Sequence, residues 1–146
     1  MRYVYALAAC LGLALGTPPL GAQSEGAYRV VVNAANPVST MSRDEVSRLF
    51  LKKVTSWASG RAVLIVDQRE DAEVRRQFTR DIHGRQVTSV KSYWQQMIFS
   101  GRDVPPPEKA SDAEVVAFVA ANPNAIGYVS AAAATAPGVK AVEVTR

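Results

Sequence analysis

The sequence predicts a small α/β domain in which buried strands alternate with amphipathic helices. Residues 28–33 and 62–66 are short runs rich in aliphatic and β-branched side chains, which is typical of strands buried on both faces of a sheet. Between and after these runs, apolar side chains recur at helical spacing, and each such pattern follows a residue that can cap a helix. These two observations predict a layered fold of strands and helices.

The first helix is predicted to begin after Ser42, because Ser42 and Glu45 have the spacing of a capping box. Its buried face would consist of apolar side chains three to four residues apart, namely Val46, Leu49 and Phe50. A loop that contains Trp57 and Gly60 then leads to the second strand, residues 62–66.

The middle of the chain predicts two further helices. Asp71 is the expected cap of the first of these, and Gly84 is well placed to end it. The next helix should cover about residues 88–99, and Gly101 and the prolines of residues 105–107 close this unit with an extended loop.

The last third predicts a helix followed by two strands. Ser111 and Glu114 form a second capping box, and Pro123 cannot continue the helix that follows it. Residues 126–129 read as a buried strand, in which Gly127 indicates a close approach by another part of the chain. A connector of small residues then leads to a final strand at residues 139–144.

The first 22 of the 146 residues have the pattern of a secretory signal. A positive charge at Arg2 precedes a short apolar run, and small residues end at Ala22. A membrane anchor is the alternative, but the run is short for a bilayer. We therefore expect a cleaved signal peptide at residues 1–22, a single domain at residues 23–146, and a periplasmic or secreted protein without membrane insertion after cleavage.

Composition argues against several classes of function. Loss of Arg2 lowers the formal net charge from +4 to +3, and the remaining positive charge is spread along the chain, so no nucleic-acid partner is predicted. Cys10 is the only cysteine and His83 the only histidine. We predict no catalytic residues, no metal site, no cofactor and no enzymatic activity, because neither a nucleophile motif nor a set of metal ligands is present.

Several aromatic and glycine motifs resemble, in the same order, those of phosphate-type periplasmic binding proteins. These are the receptors of phosphate ABC transporters, and they have the type 2 periplasmic-binding-protein fold. The resemblance covers about residues 28–130 and includes residues 42–50, Trp57, Gly60, Phe78, Tyr93, Trp94, Phe99, Ser100, Gly101, Pro105, Pro106 and residues 126–129. It implies a three-layer-like domain similar to one lobe of such a receptor, since the chain is too short for both lobes.

The resemblance also identifies a candidate anion site. The family holds phosphate at a Ser-Gly-Thr turn that begins a helix, and residues 72–74 stand in its place here. Arg75 matches an arginine that often follows that turn. The candidate ligand-binding residues are Ser39, Thr40, Arg69 and Arg75. Ser39, Thr40 and Arg75 each have an alternative, because serine and threonine often only shape loops and Arg75 could pair with Asp71 or Glu73 on its own helix.

The expected function is that of an exported, non-enzymatic, solute-binding-like domain that binds phosphate or another small anion weakly. The alternative is a protein-interaction or sensory-accessory domain that keeps the fold without anion binding. A membrane transporter, a membrane receptor or a second copy of the chain is the expected partner. A hydrolase would require a pocket that contains acids with perturbed pKa values.

Overall fold

The structure is a computed structural model that describes residues 28–146, so the predicted signal peptide lies outside the described residues. A five-stranded sheet is formed by β1 (Tyr28–Asn33), β2 (Thr40–Ser42), β3 (Leu64–Ile65), β6 (Ala125–Ser130) and β7 (Val139–Thr145). Two short strands, β4 (Asp67–Gln68) and β5 (Glu108–Lys109), pair separately. The helices are α1 (Arg43–Phe50), α2 (Glu73–His83), α3 (Val87–Phe99) and α4 (Asp112–Ala121), and a 3-10 helix covers Ala131–Thr135.

The sheet is mixed, with the strand order β2-β7-β1-β6-β3. Its central strand β1 runs antiparallel to both neighbours, while β2 and β3 are parallel to β7 and β6 at the two edges. The prediction of an α/β domain is therefore confirmed. The sequence did not indicate β2, β4 or β5, because strands of two or three residues carry too little pattern to be recognised.

Helices cover both faces of the sheet, which accounts for the continuous apolar strands. Val30 and Val32 face the layer of α1 and α2, where Phe50 and Phe78 pack, whereas Val31 faces α4. Helix α3 lies outside the sheet and packs Val90 and Trp94 near Leu51. Within residues 28–146, none of the helices has the length and hydrophobicity needed to cross a membrane.

The predicted helix ends are largely confirmed. Ser42 and Glu45 form the reciprocal capping box, and Gly84 ends α2 with a φ of 62°. The second box is incomplete, because the Glu114 carboxylate accepts from the backbone N–H of Ala110 rather than from that of Ser111. At the C-terminal end of α4, the carbonyls of Val119 and Ala120 accept hydrogen bonds from the side-chain amide of Asn33, which joins this helix to β1.

Gly127 brings α4 and the sheet into close contact, as the sequence predicts. A Cβ atom on Gly127 would lie 2.8 Å from a methyl carbon of Val115 and 2.8 Å from one of Val66. Both valines are completely buried and have little room to move. Only glycine therefore permits this spacing between β6 and α4.

The aromatic residues of the family resemblance build the core on the other face. The rings of Phe78 and Tyr128 stack with centroids 3.8 Å apart, and Phe50 packs against both. The indole N–H of Trp57 donates to the carbonyl of Asn124 over 3.0 Å. These motifs support the scaffold, and the polar groups available for binding lie elsewhere.

Candidate functional site

A buried ion pair lies where β4 leads into α2. Nη1 of Arg75 is 2.9 Å from Oδ1 of Asp67, and the two residues are only 4% and 8% exposed. The same carboxylate accepts the Tyr128 hydroxyl and, over 2.8 Å, the backbone N–H of Gln68. Arg75 also donates to the Gln68 carbonyl and reaches Glu108 over 3.5 Å. Asp67 thus has the multiple partners that a buried charge requires.

Burial and neighbouring charges raise the pKa values of Asp67, Tyr128 and Arg75. Burial raises the pKa of the Asp67 carboxyl, and the Arg75 guanidinium opposes that rise. Burial also raises the pKa of the Tyr128 phenol, as does the neighbouring Asp67 carboxylate. Although burial alone would lower the pKa of Arg75, Asp67 raises it above its usual value. Arg75 therefore remains charged, and its charge is already neutralised inside the protein.

Gln68 extends this polar cluster to α4. Its side-chain amide donates to Asp112 over 2.7 Å and to the Tyr128 carbonyl over 3.0 Å. Asp112 in turn accepts from the backbone N–H of Ser130 over 3.2 Å. The cluster joins β4, β6, α2 and α4, so its hydrogen bonds hold the fold together.

The beginning of α2 differs from the prediction. The N-cap is Ala72 rather than Asp71, and its methyl side chain cannot accept a hydrogen bond. The Asp71 carboxylate binds the guanidinium of Arg69, with Nε and Oδ1 2.8 Å apart. The other acids here are also paired, Glu73 with Arg76 over 2.6 Å and Glu70 with Lys91 over 3.0 Å. The expected partners of Arg75, Asp71 or Glu73, are thus wrong, since Asp67 lies closer to it across the buried turn.

His83 is the last residue of α2 and lies next to Gly84. A charged histidine at the end of α2 would interact with the helix dipole. Instead, the pKa of His83 is lowered to about 4, mainly by burial and in addition by nearby Arg75, Arg85 and Lys53. Its Nδ1 lies 2.8 Å from Oγ of Ser47, and its ring packs edge-on against Phe78. His83 is therefore a neutral side chain that joins α2 to α1.

An arginine-lined cavity of about 840 Å³ lies between the end of the sheet and helices α1 and α2. We call it the arginine cavity. Its charged lining residues are Arg29, Arg43, Arg80, Arg146, Asp81 and Glu143, and its other lining residues include Tyr28, Ser39, Val30, Ile82, Val142 and Val144. Four arginines against two acids leave an excess of positive charge.

Two of these arginines form no direct ion pair in the described part of the chain. Within residues 28–146, neither Arg43 nor Arg80 forms an ion pair shorter than 4.0 Å. Arg29 donates to the Tyr28 carbonyl over 3.0 Å. Burial and, to a smaller extent, Asp81 raise the pKa of the Tyr28 phenol to about 12, against the opposing effect of Arg29 and Arg43. The Tyr28 hydroxyl therefore stays protonated at neutral pH.

A second cavity, of about 620 Å³, lies beside the start of α2. Its lining includes Arg76, Arg80 and Arg85 together with Glu70 and Asp71. Because Arg76 is already paired with Glu73, and because both acids face the same space, this cavity suits an anion less well than the arginine cavity.

The four candidate residues from the sequence lie in three different environments. Ser39 lines the arginine cavity, and its carbonyl accepts a hydrogen bond from the backbone N–H of Glu143 over 2.9 Å. Thr40 is the first residue of β2 and pairs with Glu143 of β7. Arg69 is exposed and paired, and Arg75 is buried and paired. Neither the arginine cavity nor the second cavity is lined by all four candidate residues. Whether any of them binds a ligand stays a prediction.

The sequence motifs did not indicate Arg43 or Arg80 as candidate binding residues. Arg43 directly follows a capping serine and Arg80 lies in the last turn of α2, so each reads as an ordinary solvated charge on a helix. The two residues are 37 positions apart in the sequence and line one cavity only because the fold brings α1, α2 and the end of the sheet together. No motif could have identified this cavity.

A family model described as a PBP superfamily domain matches residues 26–145. The chain belongs to this superfamily. No curated protein matches the sequence. The PBP superfamily assignment agrees with the resemblance to periplasmic binding proteins that the sequence motifs indicate.

Solved structures share the fold of this PBP superfamily chain. An ABC-type phosphate transport receptor from Vibrio cholerae is similar with a TM-score of 0.63 and 19% identity, over 81% of this chain and 46% of the receptor. A Clostridium perfringens protein described as a putative phosphate ABC transporter substrate-binding protein was solved with bound phosphate. It is similar with a TM-score of 0.65 and 19% identity, over 81% of this chain and 44% of that protein. A possible phosphate binding protein from Planctomyces limnophilus is similar with a TM-score of 0.60 and 21% identity, over 82% of this chain and 41% of that protein.

These identities establish a shared fold and nothing finer. The chain spans less than half the length of each of these proteins. The prediction of a domain similar to one lobe of a phosphate receptor is confirmed.

Proposed function

We propose that this chain is an exported, non-enzymatic solute-binding domain that binds phosphate or another small anion weakly. Membership of the PBP superfamily supports a binding role. A similar structure from Clostridium perfringens was solved with bound phosphate, which supports an anionic ligand. Export to the periplasm rests on the signal pattern in residues 1–22, and a membrane transporter or receptor is the partner that we expect.

The arginine cavity is the observation that carries the proposal. Arg43 and Arg80 come from different helices and line one space with Ser39, and neither has an ion-pair partner within residues 28–146. Arginine is well suited to phosphate because its planar group presents several N–H donors at once. Arg75 and Arg69 contribute less to this proposal, because Asp67 and Asp71 already occupy them.

Weak affinity follows from the geometry of the same cavity. It is partly open to solvent, whereas tight small-molecule sites enclose most of the ligand surface. Asp81 and Glu143 also line it and would repel an anion bound close to them. We therefore expect a dissociation constant for inorganic phosphate weaker than micromolar.

We propose that the domain is not an enzyme, because its buried polar side chains form hydrogen bonds and ion pairs with one another. Asp67, Arg75 and Tyr128 bind one another inside the fold, and His83 is neutral and bonded to Ser47. These side chains are committed to internal contacts and are not presented to a substrate.

Calorimetric titration of the purified protein with inorganic phosphate tests the proposal. Arg43→Gln should weaken binding by roughly tenfold to a hundredfold, because a charge-assisted contact is worth about 1.5–3 kcal/mol. Arg48→Gln is the matched control, since Arg48 lies on the same helix and outside the cavity. No heat of binding at millimolar phosphate would contradict anion binding, and sub-micromolar affinity would contradict the weak, open site.

The alternative function, a protein-interaction or sensory-accessory domain, is favoured by one observation. Phe99 is 90% exposed, and Ile98 and Val104 are 50% and 59% exposed beside it in the chain. Large exposed apolar side chains often mark contact sites. If these residues form such a site, the protein should self-associate or bind a partner, and Phe99→Ser should abolish that association in light scattering without changing its phosphate titration.

A further inference from the structure

The C-terminal end of α3 and the loop that follows it expose large apolar side chains. Phe99 is the last residue of α3 and is 90% exposed, and Ile98 and Val104 are 50% and 59% exposed. We call these three residues the apolar tip. Apolar surface gains free energy when it leaves water, and several such side chains exposed together mark a contact site more often than a single one does.

Lys52 holds the loop after α3 in place. Its Nζ donates to Oδ1 of Asp103 over 3.1 Å and to the carbonyl of Val104 over 2.7 Å, and it lies 5.9 Å from the centre of the Trp94 ring. Lys52 has a φ of 51°, and in the described part of the chain it is the one residue other than glycine with a positive φ. This backbone conformation is unfavourable for lysine, so its contacts with the loop offset that cost. The loop that carries the apolar tip is therefore tied to the end of α1.

The charges beside the apolar tip are mainly positive. Arg102 lies within the same loop, and Lys53 follows Lys52 in the chain. Both side chains belong to exposed residues, and neither forms an ion pair within residues 28–146. The acid of this loop, Asp103, is already paired with Lys52. An anionic surface would therefore complement the charges around the tip.

A membrane surface fits these features better than a second copy of the chain or a folded protein partner. Symmetric pairing of two apolar tips would bring Arg102 and Lys53 towards their own copies, where like charges repel. Three side chains also expose only a few hundred Å², whereas each partner in a stable protein complex contributes about 800 Å². A lipid bilayer requires no matching pocket, and it accepts apolar side chains that are flanked by lysine or arginine.

We propose that the apolar tip is a peripheral docking site for an anionic lipid bilayer, with the tip at the boundary between headgroups and acyl chains and with Arg102 and Lys53 at the lipid phosphates. This inference goes beyond the proposed function and does not depend on anion binding in the arginine cavity. The contact would be reversible, because a few side chains give only weak membrane binding.

Co-sedimentation with lipid vesicles tests the inference. The protein is used without residues 1–22, because their apolar run would itself bind lipid, while residues 28–146 pack their own core. The vesicles contain either phosphatidylcholine alone or equal parts of phosphatidylcholine and phosphatidylglycerol. We expect binding to the anionic vesicles that is at least about fivefold tighter than to the neutral ones and that weakens as sodium chloride is added. No binding to the anionic vesicles would overturn the inference and leave the proposed function untouched.

Three variants locate the contact. Phe99→Ser should weaken vesicle binding by about tenfold or more without changing thermal stability, because the side chain is exposed in the free protein. Arg102→Gln should weaken binding to the anionic vesicles by about fivefold. Leu64→Ser is the matched control, since Leu64 is also exposed but lies on β3.

Two results would overturn the inference even if vesicles bind. Equal binding by the wild type and Phe99→Ser would mean that the apolar tip is not the contact. Release by inorganic phosphate that exceeds release by chloride at the same ionic strength would place the lipid contact at a phosphate-binding site instead. A wild-type dimer that Phe99→Ser dissociates in light scattering, together with no vesicle binding, would show that a second copy covers the tip.

Discussion

Arg75 and Asp67 form a buried ion pair with Nη1 and Oδ1 2.9 Å apart, at the turn where β4 leads into α2. The arginine that the family resemblance relates to anion binding is therefore bound to a carboxylate of its own chain. The pair is surrounded by Tyr128, Gln68 and Glu108. It stabilises the junction of β4, α2 and β6 and leaves Arg75 without a free donor face toward solvent.

Replacement of Arg75 should therefore destabilise the fold strongly. Arg75→Met would leave the Asp67 carboxylate buried without its cation, and loss of one partner of a buried pair costs about 3–5 kcal/mol. Urea denaturation should show this loss in the free energy of unfolding. Asp67→Asn in the Arg75→Met background should recover part of it, because the uncompensated charge is then removed.

Arg69→Met is the control for that experiment, since Arg69 pairs with Asp71 at the exposed surface and should matter little for stability. Equal effects of Arg75→Met and Arg69→Met would show that the buried pair is not a stabilising contact. Loss of phosphate binding without loss of stability in Arg75→Met would instead identify Arg75 as a ligand-binding residue.

Gly127→Ala should destabilise the domain by about 1–3 kcal/mol, the usual cost of overpacking a core. The added methyl group would lie 2.8 Å from both Val115 and Val66, which are fully buried. Thermal or urea denaturation measures the change. In a Val115→Ala background, where one of the two clashing methyl groups is absent, the same substitution should cost less. An equal cost in both backgrounds would mean that the clash with Val115 is not the cause.

Acidification should weaken the fold through His83. Its pKa is lowered from 6.5 to about 4 in the folded protein, so between these two pH values the unfolded chain binds a proton that the folded chain does not. Stability should therefore be fully present above pH 6.5 and decrease as the pH falls toward 4, by up to about 3 kcal/mol from this residue.

The measurement is the free energy of unfolding at several pH values for the wild type and for His83→Gln, which can keep a hydrogen bond to Ser47. The variant should lack most of the decrease between pH 6.5 and 4. Parallel pH profiles of the two proteins would show that another group causes the acid sensitivity.

The sequence predicted most elements because their signals are local. The capping box of Ser42 and Glu45 and the terminal Gly84 depend on residues within one turn of each other, and they are confirmed. The cap at Asp71 is wrong because Arg69, two residues away, binds the carboxylate that the helix start would have used. Local patterns cannot rank two nearby partners that compete for one side chain.

The sequence by itself determined the α/β class, the order of the helices and of the longer strands, and the need for glycine at residue 127, since these follow from short-range periodicity and backbone sterics. Only the tertiary structure decided the roles of the charged residues. Asp67 and Glu108 reach Arg75 across 8 and 33 positions of the chain, and Arg43 and Arg80 meet at a cavity formed by separate helices and the sheet end. Charge interactions depend on distance in space and on burial, and the folded chain sets both.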